Sequence, residues 1–335
     1  MININFTTLK LVILSVFLIS CGNSGGGDDL GTELGQVFVS SNTTPVVGNF
    51  NFSNANDIVS IQFGLSSTDS DGIIYSSNSD RLFTASRTNN RVEVYSGLTE
   101  TTASANLTLE FSSSSDFSNA RKLAFTNNTV LVSQDAGENN NQQNRFFVYT
   151  IGDNSATLQN TYDPQINLWD VQFSGNTLYA VQDNSDTLAV FNNLLSNSDG
   201  VVTASQKVQI EGIVRTHAMF YSAESDIMFM SDIGDAGSST DGAMHVITNF
   251  SAKLTAAGSS GTIALSDQIR ITGSNTELGN PVGVTYDADN AKIYIAERAS
   301  GGGKLLSFDL PTSSGNPSPS FSQNFSGAAA VFFAN

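Results

Sequence analysis

Asp71, Arg121, Trp169 and His217 each stand four residues ahead of an aromatic side chain, at Tyr75, Phe125, Phe173 and Tyr221. The same step back from Tyr286 reaches Val282, and from Phe332 it reaches Ala328. One residue further on stand Gly72, Lys122, Asp170, Ala218, Gly283 and Ala329. If these positions converge, half of the resulting ring is rich in chemistry and half is bare. Trp169 would then offer a stacking face to a sugar ring or an aromatic group, and Arg121 a bidentate donor to a carboxylate or other anion. Asp71, Lys122, Asp170 and His217 would complete one side of a ligand-binding pocket at a channel mouth. The same side chains could instead satisfy one another, with Arg121 bridged to Asp170, Trp169 filling the space as a plug and His217 hydrogen-bonded in a core. Residue type leaves both readings open.

No catalytic constellation accompanies this ring. The chain has two histidines, and between residues 36 and 335 there is no GxSxG turn, phosphate-binding loop or dinucleotide fingerprint. A triad built on His217 therefore lacks a nucleophile motif, and nucleotide cofactors are not expected. His245, between Met244 and Val246, reads as structural. The segments 134–144, 182–187 and 231–242 are acidic and Asn-rich, and in the last of them Asp232, Asp235 and Asp241 could hold calcium weakly, since a hard cation collects oxygen ligands. Their spacing departs from the EF-hand pattern, so solvated connections between strands are the competing reading.

What would bring distant residues into one ring is a repeat. LFTASR at 82–87 aligns with VLVSQD at 130–135, LYAVQD at 178–183, IMFMSD at 227–232 and IYIAER at 293–298. Each is an apolar, β-prone run ending in small or polar and then charged residues, the mark of a strand buried on both faces that reaches solvent at its C-terminal end. A strand ending in an aromatic precedes each run, a third that usually ends the same way follows it, and a weaker fourth completes the unit, as at 106–111 and 207–210. SSNSD, TNN, SGN, SAESD and DADNA supply the tight turns between first and second strands. Units of about 50 residues with four antiparallel strands predict propeller blades. With 13% charged residues and 39% hydrophobic ones, composition agrees, because exposed helices need more Glu, Lys and Arg than this.

The two ends fit the same scheme. GAAAVFF at 327–333 looks like an inner first strand with nothing after it, while VFVSSN at 37–42 matches the second-strand pattern and VVGNF and IVSIQF follow. Together they complete one shared blade and bring the count to six, with no open sheet edge. The expected fold is an all-β, six-bladed propeller over residues 36–335, with an insertion around 250–279 in the longest interval.

Residues 82–95, with Asn90-Arg91 leading into the third strand, and Asn144-Arg145 in the next unit resemble NHL repeats and the wider six-bladed group that includes gluconolactonase-like and paraoxonase-like proteins. In that group, the resemblance implies, a converging Glu, Asn and Asp set holds calcium for hydrolysis. Here the matching positions are Arg121, Trp169, His217, Val282 and Ala328, with Asp71 as the carboxylate. The departure counts against lactonase chemistry, which stays as the alternative to non-enzymatic binding.

Lys10, the apolar run at 11–19 and Leu18-Ile19-Ser20-Cys21 resemble a bacterial lipoprotein signal peptide with its lipobox, and Cys21 is the chain's single cysteine. The resemblance implies cleavage after residue 20, acylation of Cys21 and attachment at the outer membrane, facing the periplasm or the cell surface. A lipidated thiol also removes disulfide and metal-thiolate chemistry. Residues 21–35 form a Gly/Asp-rich tether, and its acidic residues are similar to the surface-export signals of some Bacteroidetes lipoproteins. A net charge of −17 argues against nucleic acid, and against membrane contact other than through the anchor. The expectation is a monomeric envelope lipoprotein that binds a protein or a glycan.

Overall fold

The computed structural model describes residues 35–54, 57–101 and 103–334. The expected signal peptide, the acylation site Cys21 and the tether up to residue 34 lie outside the described residues. From Gln36 onward the chain forms six sheets arranged as the blades of a propeller. In the first blade Ser70–Ser76, Arg81–Ser86, Arg91–Ser96 and Thr108–Ser112 pair antiparallel from the channel outward. Blades two to five repeat this order from inner strands at Ala120–Thr126, Leu168–Ser174, Met219–Ser222 and Pro281–Asp287.

The sixth blade is shared between the two ends of the chain. Its inner strand, Ala328–Ala334, pairs antiparallel with Gln36–Ser41, placing Val37 opposite Phe333 and Val39 opposite Val331. Val46–Asn51 and Val59–Gly64 complete it.

The turns form where the sequence supplies residues that tolerate a left-handed backbone. TNN and SGN make the shortest hairpins, with Asn127 at φ 51° and Gly175 at φ 56°. The longer turns place Asp80 and Asp226 left-handed at their last position, with φ of 49° and 51°. Each of these aspartates then accepts a hydrogen bond from the aromatic that ends its own inner strand, Tyr75 and Tyr221, both at 3.0 Å.

The core lies between blades. Ala124, Leu131, Phe146 and Tyr162 of blade two pack with Leu168, Val171, Leu178 and Ala180 of blade three, and comparable clusters join other neighbours. Both faces of each central sheet are buried this way, which is why the second strands read as nearly unbroken apolar runs.

Two features depart from the sequence reading. The long interval before Tyr286 is not one insertion: Ile269–Thr272 is the outer strand of blade four, and the added part is the helix Phe250–Ala257 with the short strand Thr262–Ile263. The helix buries Phe250 and Leu254 against Tyr179, Met228 and Ile247. In addition, Ala105–Asn106, Gly200–Val201 and Thr262–Ile263 each add a parallel strand to the outer edge of the preceding blade. All three come from the connection between third and fourth strands of the next blade, and Gly315 makes the same kind of bridge to Ile271.

Candidate functional site

The inner strands begin irregularly. Register shifts fall between Ser70 and Gly72, between Leu168 and Val171, and between Pro281 and Gly283, and Arg121 and Lys122 both lie opposite Ser133. Such bulges re-aim successive side chains. Serines at the ends of the second strands hold the irregular segments: Ser133 Oγ accepts from the Lys122 amide at 3.1 Å and donates to the Trp169 carbonyl at 2.7 Å, and Ser231 Oγ accepts from the Ala218 amide at 2.9 Å. The result is two layers, one at the mouth where the strands start and one inside the channel.

The mouth layer is an interlocked arc across blades one to four. Asp71 Oδ2 lies 3.0 Å from Arg87 Nη1 and 3.4 Å from Arg121 Nη1, and Arg121 also pairs with Asp135 at 2.8 Å. The Arg121 guanidinium sits 3.9 Å above the Trp169 ring. The His217 imidazole stacks on the same ring at 3.5 Å, with the planes 2° apart. Two groups this close cannot share one face, so Trp169 is sandwiched between Arg121 and His217. His217 Nε2 lies 3.1 Å from Asp183 Oδ1, and Asp183 also binds Arg215 Nε at 3.0 Å. His217 Nδ1 is buried without a partner among the described residues. Burial, opposed by the Asp183 hydrogen bond, depresses the imidazole to about 4. Burial also pushes Asp183 upward, but the hydrogen bonds from His217 and Arg215 prevail and hold the carboxyl at about 2.

Sequence reasoning missed Arg87, Asp135 and Asp183 in this layer. They are the charged residues that close the second-strand runs, and were expected to meet solvent. An antiparallel hairpin puts the end of the second strand beside the start of the first, so they pair across the mouth; Asp135 and Asp183 are buried. Arg121 bridges to Asp71 and Asp135, not to Asp170.

Lys122 and Asp170, expected beside Arg121 and Trp169, belong to the inner layer. They line a cavity of about 400 Å³ that runs along the inner strands to the exposed turn at Ser77 and Asn78. Asp71, Arg121, Trp169 and His217 are not among its lining residues. Its wall includes Tyr75, Phe125, Phe173, Phe220 and Phe332. Four of these aromatics define the phase of the repeat, a regularity that also signalled the lining. The Lys122 Nζ donates to the Ala329 carbonyl at 2.6 Å, and Asp170 accepts from the amides of Val171 at 2.8 Å and Met219 at 2.9 Å. Burial raises Asp170 to about 6 against the attraction of Lys122, and burial lowers Lys122 against the attraction of Asp170 and Asp71.

The other candidates make hydrogen bonds within the scaffold. Asp232 Oδ1 accepts from the amides of Val214, Arg215 and Gly234 at 3.0 to 3.1 Å, Asp241 from that of Asp235, and Asp235 from that of Gly237. Among the described residues no three His, Cys, Asp or Glu side chains are grouped to hold a metal ion. His245 is fully buried, with Nδ1 2.7 Å from Gln268 Oε1 and Nε2 accepting from Arg270 at 3.3 Å.

No protein-family profile matches the chain, and no curated protein matches it in sequence. Solved structures do match in fold. A chain in a nidogen/laminin complex superposes with a TM-score of 0.61 at 10% identity, covering 89% of this chain and 97% of that one. A candidate 6-phosphogluconolactonase from Bacteroides uniformis gives 0.59 at 10% identity over 90% and 100%, and one from Bacteroides fragilis gives 0.57 at 10% identity over 93% and 100%. At this identity the likeness establishes the propeller and no shared chemistry.

Proposed function

We propose that this chain is a lipid-anchored binding protein of the cell envelope, not an enzyme, whose central channel receives one end of a glycan or of a protein ligand. The observation that carries the reading is the aromatic-walled cavity of about 400 Å³, open at the Ser77 turn and ending at Lys122 and Asp170. Aromatic faces with a few polar groups at one end suit a sugar ring or a planar side chain. Arg121, Trp169 and His217 do not line the cavity and are largely engaged with one another and with Asp71, Asp135 and Asp183. A fold neighbour in a laminin complex agrees with a protein ligand. The anchor rests on the lipobox-like segment ending at Cys21.

Two fold neighbours named as candidate lactonases keep a hydrolase as the second reading. One experiment separates the two. The mature domain and its Ser77→Trp variant, which narrows the opening at an exposed position, are screened against glycans, envelope-protein peptides and lactones. Binding of a glycan or peptide that weakens at least ~tenfold in Ser77→Trp supports the proposal. Calcium-dependent turnover of a lactone or ester, lost on Asp71→Ala, would replace it with the hydrolase. In cells, loss of lipid labelling and of membrane attachment in Cys21→Ser supports the anchor, and unchanged attachment refutes it.

A further inference from the structure

The charge arrangement at the inner end of the channel bears on which ligand enters, and rests on the channel-binding reading above. Lys122 and Asp170 are both more than nine-tenths buried, with 6% and 8% exposure. They are the charged side chains that line the cavity. An ammonium has three protons to donate. The Lys122 Nζ gives one to the Ala329 carbonyl, and among the described residues no other hydrogen-bond partner is present for the remaining two. Each Asp170 oxygen already accepts a backbone amide, from Val171 or Met219. The cavity therefore ends in spare donors from an amine whose charge is opposed by a buried carboxylate nearby.

Two kinds of ligand head can be weighed against this arrangement. A phosphate or carboxylate would be drawn to Lys122 but repelled by Asp170, and it would shed its hydration to enter an aromatic-walled space. With both groups ionised the couple has no net charge, and with Lys122 neutral it is negative. Above about pH 6, where Asp170 is ionised and where the comparison is made, neither state compensates an incoming anion. A hydroxyl, ring oxygen or carbonyl accepts the spare Lys122 protons without adding charge, while the ring that bears it rests against Phe125, Phe173 and Phe332.

We propose that the channel selects an uncharged, ring-bearing ligand whose leading oxygen accepts hydrogen bonds from Lys122, and that it discriminates against the phosphorylated form of the same ring. Asp170 sets this preference by cancelling the charge of Lys122. Replacing it with Asn preserves side-chain shape and removes the larger of the two attractions that oppose that charge, the other coming from Asp71.

The test uses methyl β-glucoside and methyl β-glucoside 6-phosphate as probes, followed by ligand-observed NMR on the wild-type protein, Asp170→Asn and the channel-narrowed Ser77→Trp. Wild type is expected to bind the glucoside at least ~tenfold more tightly than the phosphate, with the signal lost in Ser77→Trp. Asp170→Asn is expected to reverse the order. Equal or tighter binding of the phosphate by wild type overturns the proposal, as does an unchanged order in a folded Asp170→Asn. Should that variant fail to fold, the wild-type comparison still decides. Absence of Ser77-sensitive binding by either probe removes the channel reading itself, an outcome distinct from the phosphate winning.

Discussion

His217 and Asp170 titrate abnormally for the same reason, burial, and with opposite consequences for stability. His217 protonates near 4 in the fold, against about 6.5 in an unfolded chain, so as pH falls through this window the unfolded state takes up the proton first. Stability contributed by the neutral imidazole is complete above about 6.5 and drains away by about 3 kcal/mol as pH falls to 4. Asp170 protonates near 6 in the fold, against 3.8 when exposed, so over nearly the same window the folded state takes up the proton first and gains about 3 kcal/mol. The two effects offset. Asp170→Asn should therefore lose melting temperature between pH 6.5 and 4 relative to wild type, and His217→Gln should gain it. Melting curves compared at each pH report the pair together with the groups it touches, Asp183 beside His217 and Lys122 beside Asp170. A wild-type-like profile for Asp170→Asn would show that this carboxyl titrates normally.

Among the elements, the parallel clasps between blades are what a four-strand count leaves out. The Val202 amide donates to the Asp163 carbonyl at 2.9 Å, the Leu107 amide to Gly64 at 2.9 Å and the Glu211 amide to Ile263 at 3.1 Å, each tying one blade to the edge of the next. These clasps cover outer edges that would otherwise present unpaired amides and carbonyls. They are only two residues long, as at Ala105–Asn106 and Gly200–Val201, so no periodicity announces them. Val202→Pro removes one clasp donor. It should lower stability by about 1 to 3 kcal/mol and speed hydrogen exchange along Ala156–Asp163, measured by thermal melting and exchange mass spectrometry. Exchange unchanged along that strand would mean that the clasp contributes nothing to the edge.

For the molecule as a whole, the closing blade determines whether the ring holds. Ala328–Ala334 is wedged between Gln36–Ser41 and the neighbouring inner strands, and Val37, Val39 and Phe38 are fully buried. Ser41 Oγ also donates to the Ser326 carbonyl at 2.8 Å, joining the two ends by side chain as well as by strand. Deleting residues 327–335 exposes a sheet edge and several large side chains together. The domain should melt far below the full-length domain or fail to fold, because such losses exceed what marginal stability tolerates. A truncated domain melting at the full-length temperature would show that the ring does not depend on its closure.

The sequence by itself determined the blade. Apolar second strands, left-handed turn residues at Asn127, Gly175, Asp80 and Asp226, and aromatics at a fixed phase are local patterns, and local patterns survive in one dimension. It also determined the closure, because the unpaired GAAAVFF tail and the VFVSSN head each lacked the strands the other supplies. Only the tertiary structure decided where Arg121 and Lys122 go. They are neighbours in the chain, but a bulge opposite Ser133 holds one in the mouth network with Asp71, Asp135 and Trp169 and places the other in the channel facing Asp170. Bulges shift side-chain direction without marking residue type, and ion pairs form between strands that only the ring brings together, so neither could be read along the chain.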